Sequence, residues 1–370
     1  MRHILALAFF VLLLVANGEA FAEESVHVGF RTLGQYDQEN GLRLDVNVWY
    51  PTARAERDIS IGPWEFSAAR EAKPLEGRYP LLLFSHDTAG TRFSYHDTAS
   101  ALATMGFVVA APNHPTDNMD NMDDLLTWNQ LEGRVRELKG TIELLLSTPV
   151  VESSIDRQRI GVVGFGAGGT AALLLGGALP DCTNWHGYCA EADPADVYCH
   201  VWAKKRLDEL CQKFPLTRSL ADTRIKSVAA IGPSFGMLFS KASFRWFYPP
   251  LLLMATEGDR ENPRERHAQR LFELLDKKPR YARLPGADVG ALMSACPPLL
   301  AWQLPELCRS VSSTKRTMIH KFLHGALSDF FLHYLGEPDR VPLIPQPPDL
   351  TPPTPKPPPP APQTRSNRRR

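Results

Sequence analysis

The sequence carries no excess charge of either sign: 41 Lys and Arg stand against 41 Asp and Glu in 370 residues. A polyanionic partner such as nucleic acid is therefore not implied. The apolar run at residues 4–15 falls short of the ~20 residues that a spanning helix needs, so no transmembrane anchor is expected. No internal repeat is visible.

What is present begins with a leader. Residues 1–22 have a basic start at Arg2, the apolar run, and Ala20-Phe21-Ala22 as a small-residue cleavage site. That pattern is a secretory signal peptide, with no cysteine after it to take a lipid, so export to the periplasm or the exterior is expected. At the other end, residues 337–370 are proline-dense and finish in Arg368-Arg369-Arg370. Proline at that density supports neither helix nor sheet ladders, so a disordered or polyproline II spacer is expected. Residues 23–336 then form one large α/β domain with an insertion at 181–222.

Six cysteines (Cys182, Cys189, Cys199, Cys211, Cys296 and Cys308) in an exported chain favour up to three disulfides. Cys296 and Cys308 flank a short Pro-rich loop and are expected to pair. The first four fall in the insertion and are expected to pair among themselves. Cys182, His186 and Cys189 also read as zinc ligands, but their spacing matches no standard structural site. No metal or cofactor is expected.

Along the chain, residues 26–30 and 42–49 alternate apolar and polar around an Asn40-Gly41 turn, which predicts a hairpin. Residues 51–77 are polar and are expected to be irregular. Short apolar runs at 81–84, 107–111, 160–163, 225–231, 251–255 and 281–284 read as strands, the first as a buried parallel one. Leu131, Val135, Leu138, Ile142 and Leu145 keep helical spacing, and further helices are expected at 98–105, 266–275 and 316–335. Strands alternating with helices predict a mostly parallel central sheet flanked by helices on both faces. Ligands bind such a sheet at the carboxyl ends of its strands.

One strand end organises the rest. Arg159 to Thr170 reads RIGVVGFGAGGT, a β-branched run, a glycine-dense turn and an Ala/Leu-rich helix. With "LLLFSH", "GFVVAAPNHP", "GD" at 258–259, "LPGA" at 284–287 and the Cys296/Cys308 spacing, the chain resembles the α/β-hydrolase superfamily. More narrowly it resembles the dienelactone hydrolase-like enzymes and the platelet-activating-factor acetylhydrolases. The resemblance implies an α/β-hydrolase fold and carboxylic-ester chemistry through a Ser–Asp–His triad on a G-x-S-x-G elbow. It places the nucleophile at Gly166, the acid at Asp259, the histidine at Val289, and the oxyanion donors at the amides of Ala167 and Asp87.

Three of those positions depart from the pattern. Gly166 has no side chain to acylate, Val289 moves no proton, and Asp87 brings a carboxylate where the family usually has glycine. Loss of a triad nucleophile alone costs about 10⁶-fold. The first reading is therefore a pseudo-hydrolase that binds a small or lipid-like ester, or a protein partner of unknown kind. The alternative is an active esterase with a displaced nucleophile, for which Gly232-Pro233-Ser234-Phe235-Gly236 offers Ser234. His86 and His114 end neighbouring strands and are expected to bond within their loops and shape the pocket. Asp259 is expected to cap a loop or pair with Arg260.

Overall fold

A computed structural model describes residues 25–37, 41–213 and 219–336. The expected signal peptide at 1–22, the tail at 337–370 and the turn residues 38–40 lie outside the described residues.

The chain opens with a long antiparallel hairpin, β1 (His27–Asp37) and β2 (Leu42–Thr52), in register from His27↔Thr52 to Asp37↔Leu42. A second hairpin follows, β3 (Arg57–Ile61) and β4 (Trp64–Arg70). The irregular stretch expected at 51–77 is thus largely strand. Its polar composition hides an alternation in which Trp64 and Ala68 are buried while Glu65 and Ser67 are exposed, and Phe66 packs edge-on against Phe30, 5.1 Å between ring centroids. One apolar face is enough for an edge hairpin.

The body alternates β5 (Tyr79–Ser85), α1 (His96–Thr104), β6 (Val108–Pro112), α2 (Trp128–Leu146), the short α3 (Pro149–Glu152), β7 (Ile155–Phe165) and α4 (Ala167–Leu175). The insertion carries α5 (Trp185–Glu191) and α6 (Val201–Lys213). The sheet resumes with β8 (Ile225–Ile231), β9 (Leu251–Thr256), α7 (Ala268–Leu274) and β10 (Arg280–Leu284). Short helices α8 (Val289–Leu292), α9 (Pro298–Gln303) and α10 (Pro305–Cys308) precede the final α11 (Ser313–Leu335).

The ten strands form one sheet in the order β10-β9-β8-β7-β5-β6-β2-β1-β4-β3. β6, β5, β7, β8, β9 and β10 are mutually parallel, and β2 joins antiparallel to β6. Successive residues of a strand point to opposite faces: Leu81 and Leu83 enter the core under α2 and α4, while Leu82 and Phe84 enter the core under α1 and α11. Thr127 caps α2, its hydroxyl accepting from the Gln130 amide at 3.3 Å, and Leu131, Val135, Leu138, Ile142 and Leu145 are wholly buried along one stripe. Each such side chain contributes about 1.5–3 kcal/mol of transfer free energy.

Disulfides join Cys182 to Cys211 and Cys189 to Cys199 within the insertion, and Cys296 to Cys308 between α8 and α11. No described cysteine is free. Persistent disulfides suit an oxidising compartment outside the cytosol. Among the described residues no helix is long and apolar enough to cross a membrane.

Candidate functional site

The elbow forms at the junction of β7 and α4. Gly166 takes φ 54° and ψ −118°, a conformation that L side chains rarely adopt and that glycine reaches without strain. Its amide donates to Ile231 O at 3.0 Å and its carbonyl accepts from Ser234 N at 3.1 Å, so two strand ends hold the turn. Gly168 is required by close approach, because a Cβ there would strike the Ser85 carbonyl. The scaffold that presents a nucleophile is intact.

A side chain at 166 has nowhere to go. A Cβ built on Gly166 would overlap the Asp87 carboxylate. Asp87 Oδ1 accepts from the Ala167 amide at 2.8 Å and from the Thr88 amide at 2.7 Å. Two convergent backbone amides at a helix N-terminus are what an oxyanion hole consists of. The carboxylate therefore holds both amides and fills the space into which a side chain at 166 would extend. The Asp87 side chain turns inward, so the Thr88 amide shares its Oδ1 with the Ala167 amide. Burial, with a smaller contribution from the Asp259 carboxylate, pushes the Asp87 carboxyl up to about 7 against the pull of the two amides.

Asp259 and Val289, the other family positions, end or follow neighbouring sheet elements. Asp259 caps the loop after β9: Oδ1 accepts from the Glu261 and Asn262 amides, both at 2.9 Å, and Oδ2 from Thr256 Oγ1 at 3.4 Å. Burial raises its pKa. No ion pair links it to Arg260 among the described residues. Val289 begins α8, whose N-cap Asp288 accepts from the Ala291 amide at 2.8 Å, so the histidine position serves as a helix start. Ser234 is 4% exposed, and its carbonyl accepts from Thr170 Oγ1 at 2.6 Å. Among the described residues no histidine bonds to Ser234.

The insertion seals this end of the sheet. Tyr198 donates to Asn262 Oδ1 at 2.7 Å, and Tyr188 donates to Asp196 Oδ2 at 2.8 Å beside the buried His267. Burial, with Arg266 and Arg270 nearby, lowers His267 to about 3. Tyr95 stacks on Phe165 at 3.6 Å between centroids. Asp87 and Asp259 are each 8% exposed beneath these rings.

Behind the loop lies a polar chain that the sequence reading did not assemble. Ser85 Oγ lies 2.8 Å from His114 Nε2, and His114 Nδ1 lies 2.6 Å from Glu137 Oε2. That is the atom order of a nucleophile, base and acid. Ser85 and His114 are nonetheless fully buried, and Arg134 Nη1 also reaches the Ser85 hydroxyl at 3.4 Å. Arg134 is buried against Asp117, 2.6 Å from Nη2 to Oδ2, and donates to the His86 carbonyl. Burial and the Arg134 charge hold His114 well below its ordinary pKa. His86 is lowered likewise, by burial, His114 and Arg134, and its Nδ1 bonds the Asp87 carbonyl at 2.7 Å while Nε2 accepts from the His114 amide. The signal for this chain was on α2: Arg134 falls within the apolar stripe at helical spacing, and Glu137 lies one turn beyond it. Charges at such positions need buried partners.

A family model described as the dienelactone hydrolase family matches residues 67–198, from β4 through the elbow into the insertion. No curated protein matches the sequence. The solved structure of a ferulic acid esterase from Streptomyces cinnamoneus shares 15% identity and a TM-score of 0.55, covering 88% of this chain and 94% of that chain. At that identity the likeness is one of fold. The sheet order, the elbow and the dienelactone hydrolase match fall on the same strands, which supports a relationship to the α/β-hydrolase superfamily.

Proposed function

We propose that this is an exported, non-hydrolytic member of the superfamily: a pseudo-hydrolase that binds a small or lipid-like ester, or a protein partner, without turnover. One observation carries the reading. The Asp87 carboxylate accepts from both amides that would stabilise a tetrahedral intermediate and fills the space of any side chain at 166. An ester carbonyl has no donors left there, and no nucleophile stands beside it. The disulfides support export, since they form and persist outside the reducing cytosol.

Incubation with a fluorophosphonate probe, read by intact mass, alongside p-nitrophenyl acetate turnover, tests this. The expected result is no adduct, and turnover no higher than that of a Gly166→Ala variant. An adduct that disappears in Ser234→Ala would establish the esterase alternative instead.

A further inference from the structure

Away from the elbow, three side chains that the hydrolase reading does not use converge between α1 and α11. His320 and His324 are four residues apart on α11 and therefore share a face, and Asp97 meets them from the first turn of α1. One ligand atom from each lies within 4.8 Å of the other two.

The hydrogen bonds around them define the chemistry. His320 Nε2 lies 2.9 Å from the Ala291 carbonyl, which only accepts, so Nε2 carries the hydrogen. His320 Nδ1 then turns its lone pair onto Asp97 Oδ2. The other carboxylate oxygen accepts from Ser294 Oγ at 2.6 Å and from the Thr98 amide at 2.8 Å. A lone pair facing a carboxylate requires a cation between them. A proton satisfies Asp97 and His320 alone. His324 brings a second imidazole nitrogen within 4.8 Å of their ligand atoms, and its Nε2 lies 3.0 Å from Thr98 Oγ1. A ring N–H on a backbone carbonyl and a carboxylate held by a hydroxyl are the outer partners that orient metal ligands.

We propose that Asp97, His320 and His324 bind a divalent first-row transition ion, with Zn²⁺ the natural occupant for two imidazoles and a carboxylate. Sequence spacing suggested no metal here, because Asp97 lies more than two hundred residues from its partners. His320 is buried, while Asp97 and His324 are half-buried, which leaves the ion a path from solvent. The described cysteines are all in disulfides, so no thiolate competes for it. The ion fastens α11 to α1 and to residues 290–294, where Arg316 also binds the Met293 carbonyl at 2.8 Å. It thereby clamps the loop that follows Val289. The inference does not depend on whether the elbow hydrolyses anything.

The test uses the untagged protein, stripped with EDTA and titrated with Zn²⁺ against a chromophoric chelator. One Zn²⁺ per chain is expected, with affinity at least about 10-fold weaker in His324→Ala and in Asp97→Asn, and unchanged in His333→Ala, an exposed histidine on the same helix. His324→Gln covers the case in which the alanine variant fails to fold. The Co²⁺-loaded protein should show visible d–d absorption that the same variants lose. No stoichiometric Zn²⁺ uptake, or uptake that survives both Asp97→Asn and the His324 variants, overturns the proposal and leaves a proton-bridged Asp97–His320 pair.

Discussion

Ser85 ends β5 and Asp87 stands two residues on in the loop that follows, yet they belong to two clusters of opposite character. Asp87 faces the elbow, where its carboxylate accepts from the Ala167 amide beside the side-chain-free turn at Gly166. Ser85 faces inward, where serine, histidine and glutamate are bonded in catalytic order with the serine hydroxyl and the imidazole fully buried. One cluster has the surroundings of a reaction without its atoms, and the other has the atoms without the surroundings. The comparison teaches that a Ser–His–Glu chain is not a catalyst until its oxygen is exposed beside oxyanion donors. On the proposed reading, Asp87 supplies the anion that the Ala167 and Thr88 amides hold.

The largest expected effect breaks the comparison by rebuilding the elbow. Gly166→Ser with Val289→His should remain inactive toward p-nitrophenyl acetate, because the serine collides with Asp87. Adding Asp87→Gly should raise turnover at least about 100-fold over the double variant, the scale of one oxyanion donor. Activity in the double variant alone contradicts the plugged hole.

The next effect falls on the inner cluster. Arg134→Met leaves Asp117 buried without its partner and should cost about 3–5 kcal/mol in urea denaturation. A loss below 1 kcal/mol would show that the pair is not the anchor of this loop.

Asp87→Asn separates the clusters by pH. The folded protein holds the Asp87 carboxyl at about 7, against an ordinary value of 3.8. Between those values the folded state binds more protons than the unfolded state, so this group's contribution to stability falls as pH rises. Its cost, fully present above pH 7, is at most on the order of 4 kcal/mol. The asparagine variant should therefore gain on the wild type most at pH 8 and least at pH 4. A gain independent of pH would place the carboxyl's titration elsewhere.

The smallest effect is at Ser85. Ser85→Ala removes one hydrogen bond from His114 and should cost about 1 kcal/mol, with no change in probe labelling. If it abolished a fluorophosphonate adduct, the inner chain would be catalytic after all.

Much of this was legible in the sequence, for identifiable reasons. The central strands announce themselves as continuous apolar runs because both faces are buried, and the elbow does so through its glycines. The β3–β4 hairpin was missed because it buries few residues, such as Trp64, Ala68 and Ala69 on β4, within a polar stretch near the sheet's edge. Gly166 and Val289 could be named as departures from a resembled pattern, but what Asp87 does with its carboxylate depends on a loop turning inward, which no local pattern encodes. The inner chain and the Asp97–His320–His324 cluster join residues from separate elements, so only the packing of α2 on β5 and of α11 on α1 brings them together.

The central claim is that the Asp87 carboxylate sits in the oxyanion hole. It is tested most directly by following the Ala167 and Thr88 backbone amides by NMR through a pH titration. Both resonances should shift together with an apparent pKa near 7, and both should become flat in Asp87→Asn. Amides that do not titrate, or a carboxyl at Asp87 that titrates near 4 without moving them, would contradict the account.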